Sequence, residues 1–138
     1  MRKLDDIFPI LGFIKALIVV IVLAIALELS GAWITMLIAG AFGGLFTRKT
    51  SHAFLVGLLG VGLAWGCLFL YLTMTAQAIA IANIFIGLLG LHGMGALVLF
   101  VSILIGALLG GFGGLLGRSL VEVIDDMSGK GSVAATPV

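Results

Sequence analysis

The sequence predicts an all-α integral membrane protein. Three observations carry that expectation. The chain is 62% apolar and only 9% charged, where a soluble domain carries roughly 25% charged residues to build a water-facing surface. Its mean hydropathy is +1.39. Four apolar runs, each separated by polar or glycine-rich punctuation, are long enough to be read as crossings of a hydrocarbon core about 30 Å thick.

The 138 residues are read as a transmembrane domain over 1–127 followed by a flexible cytoplasmic tail over 128–138. The spans cover about 9–29, 32–47, 53–74 and 96–117. Helix is the only reasonable element, because in lipid each backbone amide must find its partner within its own segment and the runs are twice the length of a barrel strand. The first run starts with basic residues and an apolar stretch, as an export signal does. Asp5 and Asp6 and the further spans downstream favour a first crossing instead. The second run is short, and the tight link through Glu28, Leu29, Ser30 and Gly31 makes it the return arm of a hairpin.

Between the third and fourth spans, the segment 76–92 is too polar at Gln77 and Asn83 for an easy crossing and too apolar for a free loop. It is expected to form a short interfacial or re-entrant helix, with a fifth span as the alternative. Charge placement favours four. With four spans all seven basic residues, namely Arg2, Lys3, Lys15, Arg48, Lys49, Arg118 and Lys130, fall on one side, the asymmetry of cytoplasmic ends and loops. Both termini are then cytoplasmic, and Trp33 and Tyr71 fall at the outer interface as headgroup anchors.

The most distinctive pattern is a near-duplication, GAFGGLFTR at 40–48 and GGFGGLLGR at 110–118, identical at six of nine positions. Two spans separate the copies, so both run the same way and the four spans form two parallel-repeated hairpins. Gly40, Gly43, Gly44, Gly62, Gly66, Gly106, Gly110, Gly113, Gly114 and Gly117 are the expected helix-packing residues, recurring at three- and four-residue spacing on helix faces. They fit either close packing inside one bundle or a homo-oligomeric interface. Arg48, Lys49 and Arg118 are expected to meet lipid headgroups. The glycine-rich stretches lie at helix C-termini, where the dipole repels anions, so they are not phosphate cradles.

Chemistry-bearing residues are sparse. Glu28 is the one acidic residue away from the cytoplasmic side, and with His92 it is a candidate ion or proton site at an outer mouth. His52 is read as a loop residue and Cys67 as a small core residue. Thr35, Thr73 and Ser102 are expected to bond helix carbonyls. No metal, cofactor or catalytic constellation emerges, and the net charge of +1 argues against nucleic acid as a partner. The expected partners are the bilayer and either further copies or another membrane protein.

The hairpin followed by GAFGGLFTRKTSHAFLVGLLGVGL and a final GALLGGFGGLLGR resembles a family of small, glycine-rich, four-helix membrane proteins of unknown function, found mainly in archaea. The likeness covers residues 32–120. It implies topology and no activity. The expected role is therefore non-enzymatic, a self-associating protein or small subunit of the cell membrane, with a small channel or transporter as the alternative.

Overall fold

A computed structural model describes residues 12–134, with side chains to residue 129. Arg2, Lys3, the first residues of the expected first span, the Lys130 side chain and residues 135–138 lie outside the described part. The described chain is all-helical, in the order α1 (Phe13–Glu28), α2 (Thr35–Leu45), α3 (Thr50–Thr75), α4 (Ala78–Gly87) and α5 (Gly95–Ala134).

Two of these helices, α3 and α5, are long and apolar enough to cross a membrane, where the sequence suggested four crossings. The difference is one of length. At 1.5 Å per residue, the 16 residues of α1 reach about 24 Å and the 11 residues of α2 about 17 Å. The turn between them takes up Leu29 to Ile34, closed at Gly31 in a left-handed conformation, φ 75°, that a side chain would strain. The ten-residue α4 spans about 15 Å, half a bilayer core. It matches the short helix expected between the last two long ones. At the other end, residues 128–134 continue α5 without a break.

The burial pattern is inverted relative to a water-soluble bundle. The buried core consists mainly of small residues, with Ala16, Val20 and Ala24 of α1 against Ala39, Val56, Val61 and Ala64, and Met36 as its one long side chain. Large residues point outward: Phe100, Leu104, Leu108, Phe112, Leu116, Leu120 and Ile124 form an unbroken exposed stripe every fourth residue along α5. Only 33% and 28% of the most apolar stretches of α3 and α5 are buried, so neither is the shielded central helix of a soluble protein.

The two copies of the duplicated sequence lie against each other. A Cβ added at Gly40 would collide with the Gly110 carbonyl, and one at Gly44 with the Gly114 carbonyl. Both pairs share an offset of 70 residues, so α2 and α5 run parallel and in register. Gly113 and Gly117 complete the contact by lying on the carbonyls of Leu37 and Ala41. On its other side α5 runs antiparallel to α3, with Gly110 on Gly57 and Gly114 on Ala53. Gly110 is therefore the point where three backbones meet. The α1 helix joins through Val20, whose methyls fill the space over Gly43 and Gly60.

A buried arginine ties the same helices together at one end. Arg118 of α5 is 7% exposed. Its Nε donates to Glu122 Oε1 at 2.8 Å, and its Nη1 donates to the Thr47 carbonyl at 3.4 Å, just past the end of α2. There a cation meets carbonyls that have no partner within the helix. Thr47 itself donates from Oγ1 to the Gly43 carbonyl at 3.0 Å.

Gly110→Ala would place a methyl 2.5 Å from the Gly57 carbonyl oxygen and 2.5 Å from Val61 Cγ2. It is expected to destabilise the protein by about 1–3 kcal/mol, as overpacking does. Gly66→Ala, which meets nothing within 4 Å, should be neutral or stabilising by up to about 1 kcal/mol through helix propensity. Thermal unfolding in detergent separates them, and equal melting temperatures would refute the close α3–α5 contact at Gly110. By the same measurement Arg118→Ala should cost about 1.5–3 kcal/mol, the scale of hydrogen bonds from a charged group. Arg48→Ala, at the matching repeat position but exposed, should stay within about 0.5 kcal/mol.

Candidate functional site: an aromatic pocket with one carboxylate

At the end of the bundle opposite Arg118, the last residue of α1 meets the second half of α3. Glu28 lies beside Trp65, Leu68, Phe69, Tyr71 and Leu72, which line a half-open pocket of about 360 Å³. The α3 members at 65, 68, 69 and 72 repeat at three- and four-residue spacing, which brings them to one helix face. Trp65 and Phe69 pack edge to face, with ring centroids 4.9 Å apart. The indole lies against α5 at Gly106, where an added Cβ would sit 3.5 Å from the ring, an ordinary van der Waals contact.

Two polar groups interrupt this apolar wall. One is the Glu28 carboxylate. The other is the Trp65 Nε1–H, which is buried without a well-aligned hydrogen-bond partner, although the carboxylate of Glu28 lies close enough to interact with it. The pair is thus a donor and an acceptor that share a site without satisfying each other. A buried donor left in that condition costs about 1–3 kcal/mol, and a third polar group entering the pocket would relieve it.

His92, expected to join Glu28, is not part of the lining. It is exposed, in the turn after α4, and its Nδ1 lies 3.4 Å from where a Cβ of Gly87 would be. Among the described residues no group of three His, Cys, Asp or Glu could hold a metal ion. His52 packs edge-on to Phe13, centroids 5.8 Å apart, which fixes the start of α1 beside the start of α3.

The other residues that the sequence singles out divide by environment. Of the ten glycines, Gly66 faces open space and the remaining nine touch a neighbouring helix. Gly57 and Gly60 are not among the ten, yet both are in contact; the small pair Ala53 and Gly57, four residues apart, was the available signal. Arg48 and Lys49 are exposed, whereas Arg118, grouped with them as a headgroup contact, is buried and bonded. Cys67 is exposed rather than in the core, although its spacing from Gly60 and Ala64 places it on the same face of α3. Trp33 and Tyr71 are 68% and 63% exposed, at the end of the bundle that carries Glu28. Thr35, Thr73 and Ser102 donate to carbonyls of their own segments, Ala32, Phe69 and Val98. Asn83 does more: its Oδ1 accepts from the Gly95 amide at 2.7 Å and so fixes α4 to the first turn of α5.

Comparison of the chain with protein-family models, with curated proteins and with solved structures finds no match.

Proposed function

We propose that the chain is a non-enzymatic, multi-pass protein of the cell membrane that works as a packing subunit, in copies of itself or with another membrane protein. The observation that carries this reading is the inverted burial. A bundle with alanine, valine and glycine inside and phenylalanine, leucine and isoleucine outside has its large apolar surface facing the solvent, and hydrocarbon is the solvent in which that arrangement is stable. The interior is filled by small side chains and backbone contacts, so the exterior is the surface left for interaction.

Charge supports the orientation. Lys15, Arg48, Lys49 and Arg118 lie at one end of the bundle, joined there by the Phe13–His52 and Arg118–Thr47 contacts, as cytoplasmic ends require. On this reading α1 and α2 cross alongside α3 and α5. Their short helices are extended by flanking residues and by local thinning of the bilayer, α4 lies at the outer interface, and both termini are cytoplasmic. The likeness to small archaeal four-helix proteins belongs to this proposal. The glycines serve the fold of a single chain, so assembly would use the large outward side chains instead. The second reading, a small transporter with Glu28 and His92 at its outer mouth, draws its support from the pocket alone, which Glu28 lines and His92 does not.

The single cysteine gives the test. Cys67 is exposed in the folded chain and sits in the middle of α3, so lipid would shield it from a charged, water-soluble maleimide. In intact membrane vesicles the thiol should resist labelling and react only after detergent denaturation. Prompt labelling in intact vesicles would refute the membrane reading. Mass measurement in lipid nanodiscs should find two or more copies or a second protein, and a lone monomer would refute the packing role.

A further inference from the structure

The Glu28 pocket is lined by a single chain, so its occupant is a separate question from assembly. Its walls suit an apolar body. Trp65, Phe69 and Tyr71 contribute three aromatic rings within two turns of α3, Leu68 and Leu72 complete the surface, and a volume of about 360 Å³ is that of a small organic ligand. The Glu28 carboxylate restricts the choice. A neutral hydrocarbon would strip water from it without a counter-charge, which is unfavourable. An inorganic cation would need several oxygen ligands, and one carboxylate is present. Among the described residues no basic side chain lines the pocket, and the basic groups stand at the opposite end. An ammonium with apolar substituents meets each condition: its charge faces the carboxylate, its alkyl or aryl groups replace lipid on the leucines, and aromatic rings attract cations through their electron-rich faces.

We propose that this pocket binds an organic ammonium ion carrying apolar substituents, with Glu28 as counter-ion and Trp65, Phe69 and Tyr71 as the aromatic enclosure. A ligand that also carries a hydrogen-bond acceptor would engage the buried Trp65 Nε1–H, the group that the protein itself leaves unsatisfied.

The chain has two tryptophans, so Trp33→Phe leaves Trp65 as sole reporter of the site. The full-length protein carrying that change, in the neutral detergent dodecyl maltoside, is titrated with benzyltrimethylammonium and separately with neopentylbenzene, its uncharged isostere. The ammonium should change Trp65 emission saturably and bind roughly tenfold or more tightly than the isostere, given the combined carboxylate and aromatic terms. In Glu28→Gln that preference should vanish while isostere binding remains, with circular dichroism confirming the helix content. Competition by a short-chain phosphocholine would identify a lipid headgroup as a source of the same chemistry; its absence leaves free ammonium compounds as the source. Absence of saturable binding, or the same preference in Glu28→Gln, would overturn the proposal. Should that variant not fold, equal affinity of the unsubstituted chain for the two probes would overturn it as well.

Discussion

Close backbone approach at Gly110 is the contact on which the remaining architecture depends. Lipid tails are as apolar as leucine, so burying apolar side chains between helices brings no hydrophobic gain in a bilayer, and association rests on dispersion and on weak polar contacts at short range. A side chain at 110 would run into Gly57 and Val61 of α3, and one at 40 or 57 would run into the Gly110 carbonyl, so none of these three positions can be enlarged without separating helices. Glycine costs a soluble helix about 1 kcal/mol relative to alanine. Its repeated use here is repaid by contacts that no larger residue could make. The same approach decides the inside-out distribution of size: once backbones touch, only small side chains fit between them, and the large ones are left for the exterior.

The two ends of the bundle differ for electrostatic reasons. At the Arg118 end, the guanidinium is held among helix-terminal carbonyls and a carboxylate, so its charge is matched within the protein. At the Glu28 end, the carboxylate stands in an apolar, aromatic setting with a poorly aligned donor. One end is satisfied internally, and the other leaves an acceptor and a donor in need of a partner. Binding chemistry belongs at the second.

Much of this architecture was legible from sequence, and the limits have identifiable causes. Glycine spacing marks which face of a helix is close-packed, so Gly40, Gly44, Gly110 and Gly114 could be picked out, as could the i, i+4 pairing of Arg118 with Glu122. Spacing does not name the helix on the other side, so the mutual packing of the two repeat copies needed coordinates. Cys67 shows a different limit: α3 is apolar around its whole circumference, and a pattern without polar residues cannot separate inside from outside. The Trp65, Phe69 and Tyr71 wall was hidden for the same reason. Glu28 and His92 were linked only by being polar and on one side, which carries no information about distance.

The two arginines at matching repeat positions make the general point. Arg48 and Arg118 end nearly identical nonapeptides, yet one is exposed and the other buried. The cause lies in the chain downstream of each copy. The first helix stops at Leu45 and the chain turns at once into α3, so Arg48 lies beyond the helix and in solvent. The second continues to Ala134, which keeps Arg118 inside α5, bonded to Glu122 one turn on and to the carbonyl of Thr47 at the end of the first copy. A repeated sequence thus produces an asymmetric joint, in which one copy supplies the unsatisfied carbonyls and the other the cation that meets them. Parallel packing makes this possible, since only helices running the same way bring a C-terminus level with the matching position of its duplicate.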